Sequence, residues 1–348
     1  MKIGKFDFEN NKTFIIAELS ANHNGSIDNA LKTIQAAKEI GADAIKLQTY
    51  TADTLTLNSK KDDFIIKGGT LWDGKTMHEL YEEAFTPWEW HKELFSYARE
   101  IGIDIFSSPF DKTAVDFLEQ FDPSAYKIAS FEITDYELIE YTASKLKPII
   151  ISTGIGTFEE ISEVVKICRN VGNNNIVLLK CTSAYPAPLK DANLLTIKDL
   201  EKTFNVIAGF SDHTLGITAP IAAVSLGAKV IEKHFILDKS IGGPDSDFSL
   251  DKTEFGDMVQ KVRDTEKLLG AVDYSMTEKK QNSRQFSRSL YICKDVKAGE
   301  QITIDNIRSV RPGYGLHPKH LKKVLGKRII KDMEMGDKLS FDIIDLGS

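Results

Sequence analysis

Two histidines stand in matching surroundings. Ser211-Asp212-His213 and Glu232-Lys233-His234 each close a short apolar run and carry a polar side chain two residues before the histidine. In an extended strand residues i and i+2 point the same way, so Ser211 shares a face with His213, and Glu232 with His234. On neighbouring strands the two imidazoles converge on one point. Such a pair, with carboxylates nearby, is expected to hold a divalent metal, and imidazole nitrogen suits Mn²⁺, Co²⁺, Zn²⁺ or Fe²⁺ better than Ca²⁺. A second group is cationic. Lys46, Lys127 and Lys180 lie on further apolar runs, accompanied by the hydroxyls of Ser130, Ser152 and Ser211. Ammonium groups and hydroxyls gathered at one mouth describe a phosphate or phosphate–carboxylate cage, suited to a small, doubly anionic substrate. Glu18 ends another such run, and His23 shortly after it is read as a substrate contact, whereas Cys168 and Cys181 read as core.

The elements that must position these residues follow from periodicity. Short apolar, β-prone runs at 14–17, 44–48, 105–107, 125–128, 149–152, 176–180, 206–210 and 230–234 alternate with 3.6-periodic segments. The latter fall at 28–40, 88–101, 113–121, 134–145, 158–171, 194–204, 216–226 and 252–269. Eight strands and eight helices over about 270 residues predict a (β/α)₈ barrel of the TIM type, whose active site is built at the C-terminal strand ends. An open doubly wound sheet is disfavoured, since no GxGxxG or GxxxxGK[ST] run follows the first strand. The connection over 49–87 is too long for an ordinary loop and is expected to cover the barrel mouth. Residues 271–288 read as a polar linker, and 289–348 as a small β-rich domain with short extended runs at 290–293, 301–304, 307–310, 327–330 and 338–341.

Composition narrows the partners. Lys and Arg number 44 against 51 Asp and Glu, a net charge of −7, so no broad positive field exists for nucleic acid or anionic lipid. Three scattered cysteines without CxxC spacing fit a reducing cytoplasm. The longest uncharged apolar-rich stretch, 214–228, falls short of the roughly 20 residues of a membrane span, and residues 1–8 lack the apolar core of a signal peptide.

A set of motifs in fixed order then gives a resemblance. The runs are Ile16-Ala-Glu-Leu-Ser-Ala-Asn-His-Asn-Gly25, Lys46-Leu-Gln-Thr49, Lys127-Ile-Ala-Ser130, Ile151-Ser-Thr-Gly154, Lys180-Cys-Thr182, Gly209-Phe-Ser-Asp-His213, Glu232-Lys-His-Phe235, Gly243-Pro-Asp245 and Val310-Arg-Pro-Gly313. Together they resemble the sialic acid synthase family, phosphoenolpyruvate-condensing barrels with a C-terminal antifreeze-like (SAF) domain. The stretches Thr54-Leu-Thr-Leu-Asn58, Asp63-Phe-Ile-Ile-Lys-Gly68 and Thr86-Pro-Trp-Glu-Trp90 resemble the pseudaminic acid branch of that family. The resemblance implies that Lys127, Ser130, Ser152, Ser183 and Ser211 hold phosphoenolpyruvate. It further implies that His213 and His234 ligate Mn²⁺, Co²⁺ or Mg²⁺, and that Glu18, Lys46, Glu132, Tyr185 and Asp245 surround the amino-sugar aldose. Glu132 is the expected base for water and Glu18 the group managing a proton at the sugar oxygen. One departure stands at Ser183-Ala184, where neuraminate synthases tend to carry Asn. Arg311 is implied to complete the site of the other subunit in a domain-swapped homodimer. An N-acetylneuraminate or legionaminate synthase, a Schiff-base aldolase using Lys127 or Lys180, and a sugar- or ice-binding protein remain as alternatives.

Overall fold

The computed structural model describes residues 1–10, 12–69 and 71–347. Eight parallel strands are hydrogen-bonded side by side in sequence order into a closed barrel. They are β1 (Phe14–Glu18), β2 (Ala44–Thr49), β3 (Asp104–Pro109), β4 (Tyr126–Ile128), β5 (Ile149–Ser152), β6 (Ile176–Cys181), β7 (Ile207–Asp212) and β8 (Val230–His234). Closure joins β8 to β1, with Glu18 level with His234 on one side and with Lys46 on the other. Residues that were far apart in sequence thereby become neighbours at one rim.

Several of the barrel helices start where a side chain can accept an otherwise unpaired N–H. Ser26, Asp111, Asp135, Thr157 and Asp251 each cap a helix in this way. The segment expected as one helix over 88–101 divides into a 3-10 turn, Trp88–Trp90, and the helix His91–Ile101. That helix ends at Gly102, whose left-handed φ of 77° satisfies its last carbonyls without a Cβ clash.

Two apolar layers result. One lies between strands and helices and includes Ile45, Leu47, Ile105, Ile149, Ile151 and Ile231. The other fills the barrel, with Phe14, Ile16, Phe106, Val177, Leu179 and Val230 joined by Ile3, Phe6 and Phe8 of an N-terminal hairpin (Lys2–Ile3 with Phe6–Asp7). Burial on both faces is what a parallel barrel strand requires. No helix among the described residues is long and apolar enough to cross a membrane.

The chain divides into two compact units, Met1–Gly270 and Ala271–Ser348. The second carries a short helix, Glu278–Ser283, within the stretch read as linker. Beyond it, β9 (Ser289–Ile292) pairs with β10 (Ile307–Val310), and β11 (Arg328–Ile329) with β12 (Ile344–Asp345), around Leu290, Ile292, Ile302 and Leu339. The runs expected over 301–304 and 338–341 contribute single bridges, Gln301 to Arg328 and Tyr291 to Lys338, rather than strands. In so small a unit the chain turns away after one pairing.

Candidate active site

Strand alternation decides which side chains enter the barrel. Each inward series begins with an apolar residue of the inner core and ends in a polar one: Ile16 then Glu18, Ala44 then Lys46 and Gln48, Ile150 then Ser152, Val230 then Glu232 and His234. The polar ends line a cavity of about 460 Å³ at the C-terminal rim, within the size range of small-molecule sites.

At its floor four charges interlock. Lys46 Nζ lies 2.8 Å from Glu18 Oε1 and 3.2 Å from Glu232 Oε2, while Lys127 Nζ lies 3.0 Å from Glu232 Oε1. Gln48 donates to Glu18 Oε1 at 3.0 Å and Ser211 to Glu232 Oε1 at 2.9 Å. All four charged residues are buried. Burial alone raises a carboxyl and lowers an ammonium, and here it competes with the opposite charges. In Glu18 the electrostatic pull of its neighbours, Lys46 and Lys127 among them, prevails over burial, holding the carboxyl well below its ordinary range. Lys127 and Lys46 likewise hold Glu232 down. Burial pulls Lys127 below its usual value, whereas in Lys46 the two glutamates outweigh burial and raise it. Glu18 and Glu232 are therefore carboxylates at neutral pH. Glu18 is arranged to accept hydrogen bonds and not to donate a proton.

Beside this floor lies a group of unspent hydroxyls. Ser130 Oγ, Ser152 Oγ and Ser183 Oγ are buried with no hydrogen-bond partner among the described residues. The first and last face the bare Cα of Gly154, where a Cβ would collide with both oxygens. Buried polar atoms left unpaired are expensive, so a cradle of this kind next to Lys127 is built for an acceptor that comes from outside. Glu132, on the 3-10 turn Ser130–Glu132 after β4, also presents an unpartnered oxygen. Burial pushes its carboxyl up to about 7, only partly offset by Lys127.

The histidine pair closes the far side. The ring centroids of His213 and His234 are 5.4 Å apart. His213 Nδ1 lies 3.1 Å from the Thr182 carbonyl, which as a donor leaves Nε2 as the lone-pair nitrogen. His234 Nδ1 is buried without a hydrogen bond, 3.8 Å from Asp245 Oδ2, and its Nε2 is 3.4 Å from Glu18 Oε2. Two imidazoles with spare nitrogens fit an open divalent-metal site whose other positions come from water or substrate. Among the described residues no cluster of three or more His, Cys, Asp or Glu has metal-holding geometry. On the outer face, Lys233 Nζ meets Asp212 Oδ2 and the Thr214 carbonyl, each at 2.5 Å, and so ties together the two segments that carry the histidines.

Several expectations change. Lys180 points outward, its Nζ donating to the Cys181 carbonyl at 2.6 Å, and Cys181 takes the inward place, its Sγ 3.7 Å from His213 Nδ1. The cage therefore has two lysines, and Cys181 is a wall residue as well as a buried one. His23 is not among the residues lining the cavity: its Nδ1 accepts from the Gly25 N–H, its ring packs on Trp90, and burial lowers it to about 4. Ser211 lines the cavity with its hydroxyl already donated to Glu232. Glu232 is the hub that the reading of functional residues left out, although its place two residues before His234 marked the face. Asp245 accepts from Ser20 Oγ at 2.5 Å, and the Tyr185 ring stands 4.4 Å from that of His213. Arg311 is exposed, in the second unit.

The roof comes from 49–87. A short helix, Ala52–Leu55, capped by Thr51, and a second, Met77–Ala84, capped by Thr76, bring Leu55, Ile66, Trp72, Met77, Leu80 and Tyr81 over the mouth. Trp72 Nε1 donates to the Pro244 carbonyl at 3.3 Å, next to Asp245.

Comparison with known proteins agrees with this geometry. The pseudaminic acid synthase of Campylobacter jejuni strain 81-176 is 54% identical over 97% of this chain and 98% of its own. That of Helicobacter pylori is 49% identical over 95% and 97%. A crystal structure of N-acetylneuraminic acid synthetase from Leptospira borgpetersenii superposes with a TM-score of 0.70 at 30% identity, covering 79% of this chain and 90% of that one. A SAF domain model matches residues 287–342 and the NeuB family model residues 33–274, and with them the chain belongs to the NeuB family.

Proposed function

We propose that this enzyme is a phosphoenolpyruvate-dependent pseudaminic acid synthase, a carbon–carbon bond-forming transferase. It joins C3 of phosphoenolpyruvate to the aldehyde of open-chain 2,4-diacetamido-2,4,6-trideoxy-L-altrose; water enters at C2, and phosphate leaves with its bridging oxygen. The observation that carries the reading is the near full-length likeness to pseudaminic acid synthases, joined to a cavity flanked by buried, unpartnered serine hydroxyls.

In this reading Lys127 and the hydroxyls of Ser130, Ser152 and Ser183 bind the phosphate and carboxylate, and Ser211 acts through Glu232. Lys46 and Glu18 orient the sugar end, with Asp245 and the buried, protonated hydroxyl of Tyr185. Glu132, poised near neutrality, takes the proton of the water that attacks C2. His213 and His234 would hold a divalent ion, Mn²⁺, Co²⁺ or Mg²⁺, which when bound supplies Lewis-acid polarisation of the aldehyde.

We further propose a cytoplasmic homodimer in which the exposed Arg311 reaches the substrate held by the second copy. The free cysteines suit that compartment. Mixing Arg311→Ala with His213→Ala subunits restores up to about half of the activity per heterodimer if sites are shared, and none if each copy is self-contained.

The defining experiment measures phosphate release from phosphoenolpyruvate with a panel of aldoses, before and after chelation. The expected result is the highest kcat/KM with the diacetamido-trideoxy-altrose, lost on chelation and restored by Mn²⁺, Co²⁺ or Mg²⁺. Release with N-acetylmannosamine or the legionaminate precursor as the better substrate refutes the sugar assignment. Full activity after exhaustive chelation refutes the metal.

A further inference from the structure

The cavity wall is sharply divided. Every charged side chain that lines it comes from the barrel strands or the loops directly after them: Glu18, Lys46, Lys127, Glu132, Glu232 and Asp245, with the two histidines. Among the described residues, the roof segment adds no charged group and no aliphatic hydroxyl to the lining. Its residues there are Leu55, Ile66, Met77 and Leu80, with Ala84, Trp72 and the rings of Tyr50 and Tyr81. The rings form an edge-on cluster, Tyr50 with Tyr81 at 5.8 Å and with Phe110 at 5.1 Å. Leu80 is buried, and Leu55, Ile66 and Met77 are half-buried at the cavity surface.

An unmodified hexose turns hydroxyls in every direction, and against Leu55, Ile66, Met77 and Leu80 each loses water without gaining a partner. A sugar that has lost a hydroxyl and carries N-acyl groups turns methyls outward, and these gain from the same contact. The floor holds the polar end where bonds form, so it is the remote end of the sugar that meets the roof.

We propose that Leu55, Ile66, Met77 and Leu80 are specificity determinants, selecting a deoxy, N-acylated aldose by packing its methyl groups and denying a partner to a hydroxyl in their place. The proposal rests on the reading that an aldose is condensed at this mouth. An apolar pocket discriminates against an added hydroxyl by up to about 10²-fold, which sets the size of the effect.

The test compares kcat/KM for 2,4-diacetamido-2,4,6-trideoxy-L-altrose and its 6-hydroxy counterpart at saturating phosphoenolpyruvate. The enzyme is expected to prefer the deoxy sugar by about 10- to 100-fold. Met77→Gln and Ile66→Thr, each placing a polar group at the half-buried wall, should bring the preference within about threefold without moving the KM for phosphoenolpyruvate. The apolar replacement Met77→Leu should keep it. Phosphoenolpyruvate binding reports that each variant is folded, and either polar variant suffices. An unchanged preference in a folded polar variant, or equal losses with both sugars, overturns the role of the roof. Condensation of both sugars without preference by the unaltered enzyme overturns it too, yet leaves the proposed function standing. Turnover of neither, with turnover of N-acetylmannosamine, overturns the function and the specificity together.

Discussion

The floor and the roof of this one cavity are made in different ways. The floor is the end of a closed sheet in which neighbouring strands fix each other's register, so Glu18 is level with Lys46 and His234 because the backbone ladders put it there. Its four buried charges are two ammoniums and two carboxylates, and displacing one leaves another uncompensated in a low-dielectric interior. The roof is made of short capped helices in one long connection and lines the cavity mainly with apolar groups. Loops of this kind tolerate change far better than a barrel rim does. In the proposed reading the contrast separates two tasks: the floor would perform the bond-making chemistry that any aldose needs, and the roof would choose among aldoses.

The largest effect should come from the floor. Lys127→Met removes the ammonium that pairs with Glu232. We expect loss of kcat/KM by about 10³-fold. Breaking a buried pair should also destabilise the fold by about 3–5 kcal/mol, read by urea unfolding. A change confined to the KM for the sugar would erase the distinction between floor and roof.

Glu132 comes next, because its value near 7 is set by burial. As the base for water it must be ionised, so kcat/KM should rise through about pH 7. Glu132→Gln should abolish that acidic limb together with about 10²- to 10⁴-fold of rate. Stability moves oppositely. A carboxyl raised above its ordinary 4.5 makes its full contribution below that pH and loses it as the pH rises through 7. The Gln variant should therefore lose less stability than the parent between pH 5 and 8, and an identical pH profile of thermal midpoint would show that Glu132 is not held neutral.

The smallest effect belongs to the roof. Trp72→Phe keeps a ring and removes the N–H that reaches the Pro244 carbonyl. One neutral hydrogen bond contributes about 0.5–1.5 kcal/mol, so the KM for the sugar should rise about two- to tenfold and kcat should change less. A larger loss in kcat than in KM would place Trp72 with the chemistry.

Much of this was legible locally. A strand repeats every two residues whatever surrounds it, so Ser211 with His213, Glu232 with His234, and Lys46 with Gln48 followed from adjacent letters. The alternation of apolar runs and amphipathic segments gave the barrel, and the barrel gave the rim. Lys180 shows where this stops. In Ile176-Val-Leu-Leu-Lys-Cys181 both faces are apolar, as both sides of a parallel barrel strand are buried, so the pattern does not say which series is inside. The helices packed outside settled it, turning Ile176, Leu178 and Lys180 away and Val177, Leu179 and Cys181 inward.

Sequence by itself determined the eight-fold repeat, the polar strand ends and the pairs of residues that share a face, because these depend on covalent spacing and local backbone geometry. Only the tertiary structure decided that Glu232 lies between two lysines, that His23 packs within the protein, that the serine hydroxyls around Gly154 lack partners, and that the roof is apolar where it meets the cavity. Each of these depends on what stands opposite a residue across the barrel. That is fixed by closure of the sheet and the fold of a distant loop, which no local spacing records.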